Sequence, residues 1–253
     1  MTESHPRTAI VTGGAKRIGA AMVRALVADG WHVLIHCHHS RVEADALAAE
    51  LAPHASVVAA DLARADVAEQ VMAACAGLPT PRLLVNSASR FVYDDHQSFE
   101  IADFDAHMAI NLRAPALLTR AFAAVQPADG PPGLVVNLLD AKLASLNADY
   151  FTYTLSKIGF AGLTELSARA FAPRLRVAAI APAVTLVSGP QTRENFEAVH
   201  GMNPLGQGVT VAEIVGALRF IIATPTFNAQ TLTLDGGQRL LGLPRDVAHM
   251  LDE

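Results

Sequence analysis

Tyr153 and Lys157 stand four residues apart at the end of the stretch Asp140–Lys157, which reads DAKLASLNADYFTYTLSK. Side chains at i and i+4 share a helix face, so a phenol and an ammonium on this spacing meet at one site. A cation beside a phenol favours the phenolate, which predicts a lowered pKa for Tyr153 and an acid usable near neutrality. Tyr150 competes for the same part, but its own i+4 partner is the uncharged Thr154. Many solvated helix edges carry Y-x-x-x-K by chance. The other end of the chain makes it meaningful.

There, Thr12-Gly13-Gly14-Ala15-Lys16-Arg17-Ile18-Gly19 joins a β-branched run to an Ala-rich amphipathic stretch, the setting a dinucleotide-binding turn requires. Gly13 permits a tight turn and Gly19 a close helix approach, and the helix start offers free N–H groups to a pyrophosphate. Lys16 and Arg17 oppose the helix dipole, which is easiest to explain if an anion binds between them. The second strand ends His36-Cys37-His38-His39-Ser40-Arg41, with no acid before Glu43. An Asp or Glu here bonds the ribose 2′-hydroxyl of NAD, so imidazoles, a hydroxyl and a guanidinium point to a 2′-phosphate and NADP. His36 and His38 face the same way on a strand, but no third metal ligand accompanies them. His39 also fits a plain polar strand end. Asp61-Leu62 closes the third strand, where the Asp serves equally to bond an adenine amino group or to cap a loop.

The elements that position these groups follow one rhythm. β-prone runs near Thr8–Val11, His32–His36, Ser56–Ala60, Leu83–Asn86, Leu134–Leu139, Arg176–Ile180 and Thr231–Leu234 alternate with helical stretches. The helices include a long one over roughly Ala102–Val125 and another over Tyr153–Phe171. This alternation predicts an α/β fold: one Rossmann-like, doubly wound parallel sheet of about seven strands with helices on both faces, spanning 1–253. At 253 residues and 51% hydrophobic the chain can bury a large core, and net charge −5 without a basic run argues against nucleic acid or an anionic membrane. Two distant cysteines, a polar start and no bilayer-length apolar run predict a soluble cytoplasmic protein.

T-G-x-x-x-R-I-G, Asn86-Ser87-Ala88-Ser89, Asn111, Tyr153-x-x-x-Lys157 and Asp235-Gly236-Gly237 together resemble the short-chain dehydrogenase/reductase family over essentially the whole chain. Gly14–Gly19, His36-x-His38-x-Ser40, Ala88-Ser89-x-Phe91 and Asp140 resemble its pteridine and dihydromonapterin reductase branch. Most of the family has Ser where this chain has Asp140. An ionised carboxylate repels a developing alkoxide, whereas a carboxyl group suits a ring C=N whose nitrogen must gain a proton. The resemblance therefore implies an NADPH-dependent reductase of pterin-type C=N bonds. Asp140 and Tyr153 would supply protons, and Lys157 would tune Tyr153 and bond the nicotinamide ribose. Phe91 would stack on the pterin, unless it is a core residue of its loop. Asn111 would hold a water in a relay to Lys157, or serve as a buried structural Asn.

The resemblance also assigns Asn86, Ser87, Ala88, Ser89, Pro182 and Thr185 to the cofactor, with Ala183 replacing a usual Gly. Arg17 and Ser89 would reach the substrate as well. From about 183 to 210 the chain is irregular, with a short helix near Glu194–Val199, which predicts a substrate loop. Val187, Phe196, His200 and Met202 are its expected pocket-facing side chains. The family is usually a tetramer built on the two long helices. Reduction of a ketone and a non-catalytic, nucleotide-sensing role are the competing expectations.

Overall fold

The computed structural model describes residues 7–188 and 191–251. Seven strands form one parallel sheet: β1 (Thr8–Thr12), β2 (His32–Cys37), β3 (Ala55–Ala59), β4 (Pro81–Asn86), β5 (Gly133–Leu138), β6 (Leu175–Pro182) and β7 (Thr231–Leu234). Their order across the sheet is β3-β2-β1-β4-β5-β6-β7. Parallel neighbours need long crossovers, and helices supply them: α1 (Arg17–Ala28), α2 (Arg41–Glu50), α3 (Val67–Ala73), α4 (Ile101–Met108), α5 (Ala114–Ala124), α6 (Phe151–Ala170), α7 (Arg193–His200) and α8 (Val211–Ala223). The order reverses between β1 and β4. At such a switch point successive crossovers leave on opposite sides, and a crevice opens beyond the strand ends.

β1 shows why the sheet has helices on both faces. All five of its residues are buried, as expected of an interior parallel strand. Ala9 and Val11 pack in one layer with Met22, Val23 and Leu26 of α1 and Ile214, Leu218 and Ile221 of α8. Ile10, pointing the other way, packs with Val67 and Val71 of α3 and Leu118 and Phe122 of α5. Truncating the wholly buried Phe122 to Ala would cost about 3–5 kcal/mol.

The helix expected over Ala102–Val125 is real but not uniform. Between α4 and α5 the chain makes a π-turn, Ala109–Arg113, with Asn111 at its centre. Such turns change a helix's register locally and recur at functional positions. α6 starts two residues before Tyr153, after Tyr150 at φ 52°. Its first N–H groups lack a local side-chain cap. Asp94, far off in sequence, takes their place: its carbonyl accepts from Phe151 N (3.3 Å) and its carboxylate from Thr152 N (3.0 Å). The predicted substrate loop contains α7, and its Gly189 and Pro190 lie outside the described residues.

Candidate active site

A cavity of about 680 Å³ occupies the crevice, and the glycine turn forms one end of it. Gly13 sits at φ 62°, and a Cβ there would lie 2.9 Å from Ala88 Cα. A Cβ on Gly19 would lie 2.2 Å from the Gly13 carbonyl oxygen, so the first turn of α1 closes against the loop only because Gly19 has none. Lys16, Arg17, Ile18, Asp61 and Leu62 line this end with both glycines. Lys16 pairs with Glu43. Arg17, itself at φ 55°, donates to Val187 O (2.7 Å) and Ser188 Oγ (3.0 Å).

His36 lines the cavity, and its ring also braces the glycine turn. Its Nδ1 accepts from Gly13 N (3.2 Å) and its Nε2 reaches Ala60 O (3.0 Å), which fixes the tautomer with the proton on Nε2. Burial brings its pKa down to about 4, so it is a neutral strut under the glycine turn, with both nitrogens engaged inside the chain. His38, His39 and Ser40 line the cavity with it, the two rings of His38 and His39 3.6 Å apart. Arg41 is not in the lining and pairs with Asp45. Asp61 makes the loop-capping bond, accepting from Ala63 N at 2.8 Å. Among the described residues no group of three or more His, Cys, Asp or Glu is placed to hold a metal.

At the far end, Tyr153 Oη donates to Asp140 Oδ2 at 2.7 Å, and Asp140 Oδ1 accepts from Lys142 N at 2.8 Å. Lys157 Nζ donates to Leu138 O at 2.7 Å and lies 5.6 Å from the Tyr153 ring centre. These distances reverse the expected tuning of the phenol. Burial, then the Asp140 carboxylate, hold Tyr153 well above its ordinary pKa. Burial likewise raises Asp140 and lowers Lys157 to about 8. The phenol's direct neighbour is a carboxylate, so the free site keeps its proton between those two oxygens.

The loop after β4 brings the aromatic wall. Phe91 stacks on Tyr150 (centroids 4.3 Å, 19°) and meets the Tyr153 ring edge-on at 4.7 Å. Asn111 holds this loop: its Oδ1 accepts from Arg90 N (2.8 Å) and Ser89 Oγ (3.3 Å), and its Nδ2 donates to Arg90 O and Ser156 Oγ (both 3.0 Å). Its amide is thus spent on structure. Ser87 N and Ala88 N donate to Thr12 Oγ1. Asn86 is buried away from the lining, its Nδ2 donating to Asn137 Oδ1 at 2.9 Å. Pro182 and Thr185 line the cavity, and so do Leu186, Ser188 and Gln191. Val187, Phe196, His200 and Met202 do not: Phe196 stacks on His200 at 4.5 Å, and Arg17 takes the Val187 carbonyl. Sequence reasoning passed over Lys142, Asn147 and the segment from Leu243 to Ala248, all of which reach the cavity. No motif marks that last segment.

The model of the short chain dehydrogenase family matches residues 7–197. The chain belongs to that family. Among the family's solved structures, FolM alternative dihydrofolate reductase 1 from Brucella suis in complex with NADP is 39% identical, with a TM-score of 0.89 over 95% of this chain and 97% of that one. Pteridine reductase 1 of Leishmania tarentolae is 29% identical, covering 92% of this chain and 96% of its own. L-xylulose reductase of Mesocricetus auratus is 30% identical over 91% of this chain and 96% of its own. The family's seven-strand sheet and crevice are the ones described above.

Proposed function

We propose that this chain is an NADPH-dependent reductase of pterin-type C=N bonds, of the dihydropterin and dihydrofolate class. The observation that carries the reading is the half-buried Asp140, which lines the cavity hydrogen-bonded to Tyr153, whose ring meets the stacked Phe91–Tyr150 pair. The likeness to a FolM structure and to a pteridine reductase supports it.

The residues present suit the cofactor. The Gly13–Gly19 turn and the start of α1 would hold a pyrophosphate, because side chains are excluded there. His38, His39 and Ser40 would hold the 2′-phosphate, Lys157 the nicotinamide ribose, and Pro182 and Thr185 the nicotinamide. When bound, the cofactor supplies a hydride to the ring carbon. This chain's residues then handle the proton. Asp140, its carboxyl pKa raised by burial, gives a proton to the ring nitrogen, Tyr153 refills it, and Lys157 stabilises the charge left behind. Phe91 orients the ring by stacking. Asn111 anchors the Phe91 loop through its side-chain amide.

NADPH consumption with dihydrobiopterin, dihydromonapterin, dihydrofolate and a ketone panel tests the reading. Dihydropterins should turn over, and Asp140→Asn should slow that turnover by about 10²-fold or more; turnover of ketones alone would overturn the reading. The relation to L-xylulose reductase favours that second reading, in which Tyr153 and Lys157 reduce a carbonyl and Asp140 has another task. Either reaction fits a cytoplasmic homotetramer. Leu155, Ile158 and Leu166 leave an exposed apolar stripe on α6 for a second copy, and Cys37 and Cys75 are free thiols. Light scattering gives the assembly size directly.

A further inference from the structure

The far wall of the cavity is closed by a segment from the opposite end of the chain. Leu243, Arg245, Asp246, Val247 and Ala248 line it, and they lie outside residues 7–197, where the family model matches. One buried carboxylate holds them there. Asp149, 5% exposed, accepts from Arg245 Nε at 2.8 and 3.0 Å and from Asp246 N at 2.7 Å. Tyr93 Oη donates to the same carboxylate at 3.5 Å. The Asp149 carbonyl takes Lys142 Nζ, which also faces Asp246 Oδ2 at 3.5 Å. Lys142 N in turn bonds Asp140. α7 adds a bond from Asn195 Nδ2 to Ala248 O at 3.1 Å.

Asp149 lies four residues before Tyr153 and next to Tyr150. A residue just ahead of the catalytic helix, two positions before its first residue Phe151, therefore fixes the distance to the opposite wall. Burial works against its charge, but Arg245 and the Asp246 N–H outweigh it and keep the carboxyl below its ordinary pKa. A buried carboxylate that takes one guanidinium N–H across both of its oxygens, together with a backbone N–H, is a charge-assisted tie with a set direction.

We propose that residues 243–248 are a strap that selects substrates by the group carried beyond the reacting ring, and that Asp149 is the positioning residue that sets its place. The inference rests on the proposed pterin reading for the identity of the ring, and on the cavity alone for the location of the strap. Loosening the tie moves the wall that meets the distal substituent, while the glycine turn and the 38–40 phosphate end stay where they are. A substrate that ends short of the wall is little affected; one that reaches it is affected strongly.

The test compares kcat/KM for a methyl-substituted dihydropterin and for dihydrofolate in Arg245→Ala, Asp149→Asn and Arg245→Lys. The ratio of the two should shift about tenfold or more in the first two variants, and Arg245→Lys should recover most of the wild-type ratio. NADPH affinity, read by fluorescence, should hold within about twofold. Equal losses on both substrates, or a matching loss of NADPH affinity, would overturn the strap. The Arg245 side chain is about half exposed (49%), so its truncation keeps the test valid if Asp149→Asn does not fold. Should the wild type reduce only ketones, the pterin reading fails, and the same ratio on a short and a long ketone decides the strap. Hydrogen exchange gives a readout independent of turnover: protection of the Asp246 amide should fall in Arg245→Ala, and unchanged protection would sink the proposal.

Discussion

The two ends of the cavity are built by opposite means. The glycine-turn end is held by backbone: Gly13 and Gly19 admit no side chain, and the neutral His36 braces the turn from beneath. The reducing end is held by side chains converging from distant segments, Asp140 and Tyr153 in one bond, Asp149 with Arg245 in another. A backbone cradle suits a ligand whose shape never changes. A wall of paired charges can be altered one residue at a time, which suits the ligand that differs between family members. Substitutions should therefore separate cleanly into those that change turnover and those that change cofactor binding.

The largest effect should fall on turnover. Asp140→Asn and Tyr153→Phe should each lower kcat by about 10²–10⁴-fold, the usual contribution of a positioned acid. NADPH affinity should stay within about threefold, because neither change touches the turn. Single-turnover kinetics beside equilibrium titration would measure both, and a parallel loss of affinity would break the contrast between the ends.

Gly19→Ala should do the converse. Its methyl would meet the Gly13 carbonyl oxygen at 2.2 Å, with backbone on both sides and no flexible side chain to yield. NADPH affinity should fall by about tenfold or more and the melting temperature should drop, overpacking typically costing about 1–3 kcal/mol. Calorimetric titration and thermal melts would check it. Retained affinity would mean that α1 can slide, and that the cradle is softer than its geometry implies.

His36 gives a subtler handle on the same end. Unfolded, it titrates near 6.5; folded, at about 4. Between those values the unfolded chain takes up a proton that the folded chain refuses, so His36 stabilises above pH 6.5 and this contribution is lost as pH falls toward 4. At about 1.4 kcal/mol per pH unit the loss is roughly 3 kcal/mol. Urea unfolding at pH 7 and pH 4.5 should show a smaller acid loss in His36→Gln than in the wild type. An equal loss would mean that other groups account for the acid sensitivity.

Legibility in the sequence follows the same division. β1 with its glycine turn, and Tyr153 with Lys157, are contiguous or share a helix face, so spacing alone locates them. That the seven strands form one parallel sheet with helices on both faces follows from their alternation with helices. Three things escaped. Asp94 capping α6, Asn111 clamping the Arg90 backbone and Asp149 holding Arg245 are ties across long stretches of chain, and no local pattern encodes a partner that only folding brings near. His36 was legible as a residue of the cavity, but its bonds to Gly13 N and Ala60 O, and the burial that keeps it neutral, were not.

The smallest effect would sharpen the comparison most. The sequence offers His38, His39, Ser40 and Arg41 together for a 2′-phosphate, and charge alone would favour Arg41. In the fold Arg41 has turned along α2 to Asp45, bonding both carboxylate oxygens at 2.8 Å, while the imidazoles of His38 and His39 and Ser40 line the cavity. Arg41→Ala should change the NADPH-to-NADH preference by less than about twofold, the scale of an exposed ion pair. His39→Ala should lower it about fivefold, in keeping with the roughly 1 kcal/mol that one hydrogen bond contributes on balance. Ratios of kcat/KM for the two cofactors would show this. If Arg41 proves the stronger determinant, its pair with Asp45 must open when the phosphate arrives, and this end of the cavity, too, would depend on a movable charged side chain.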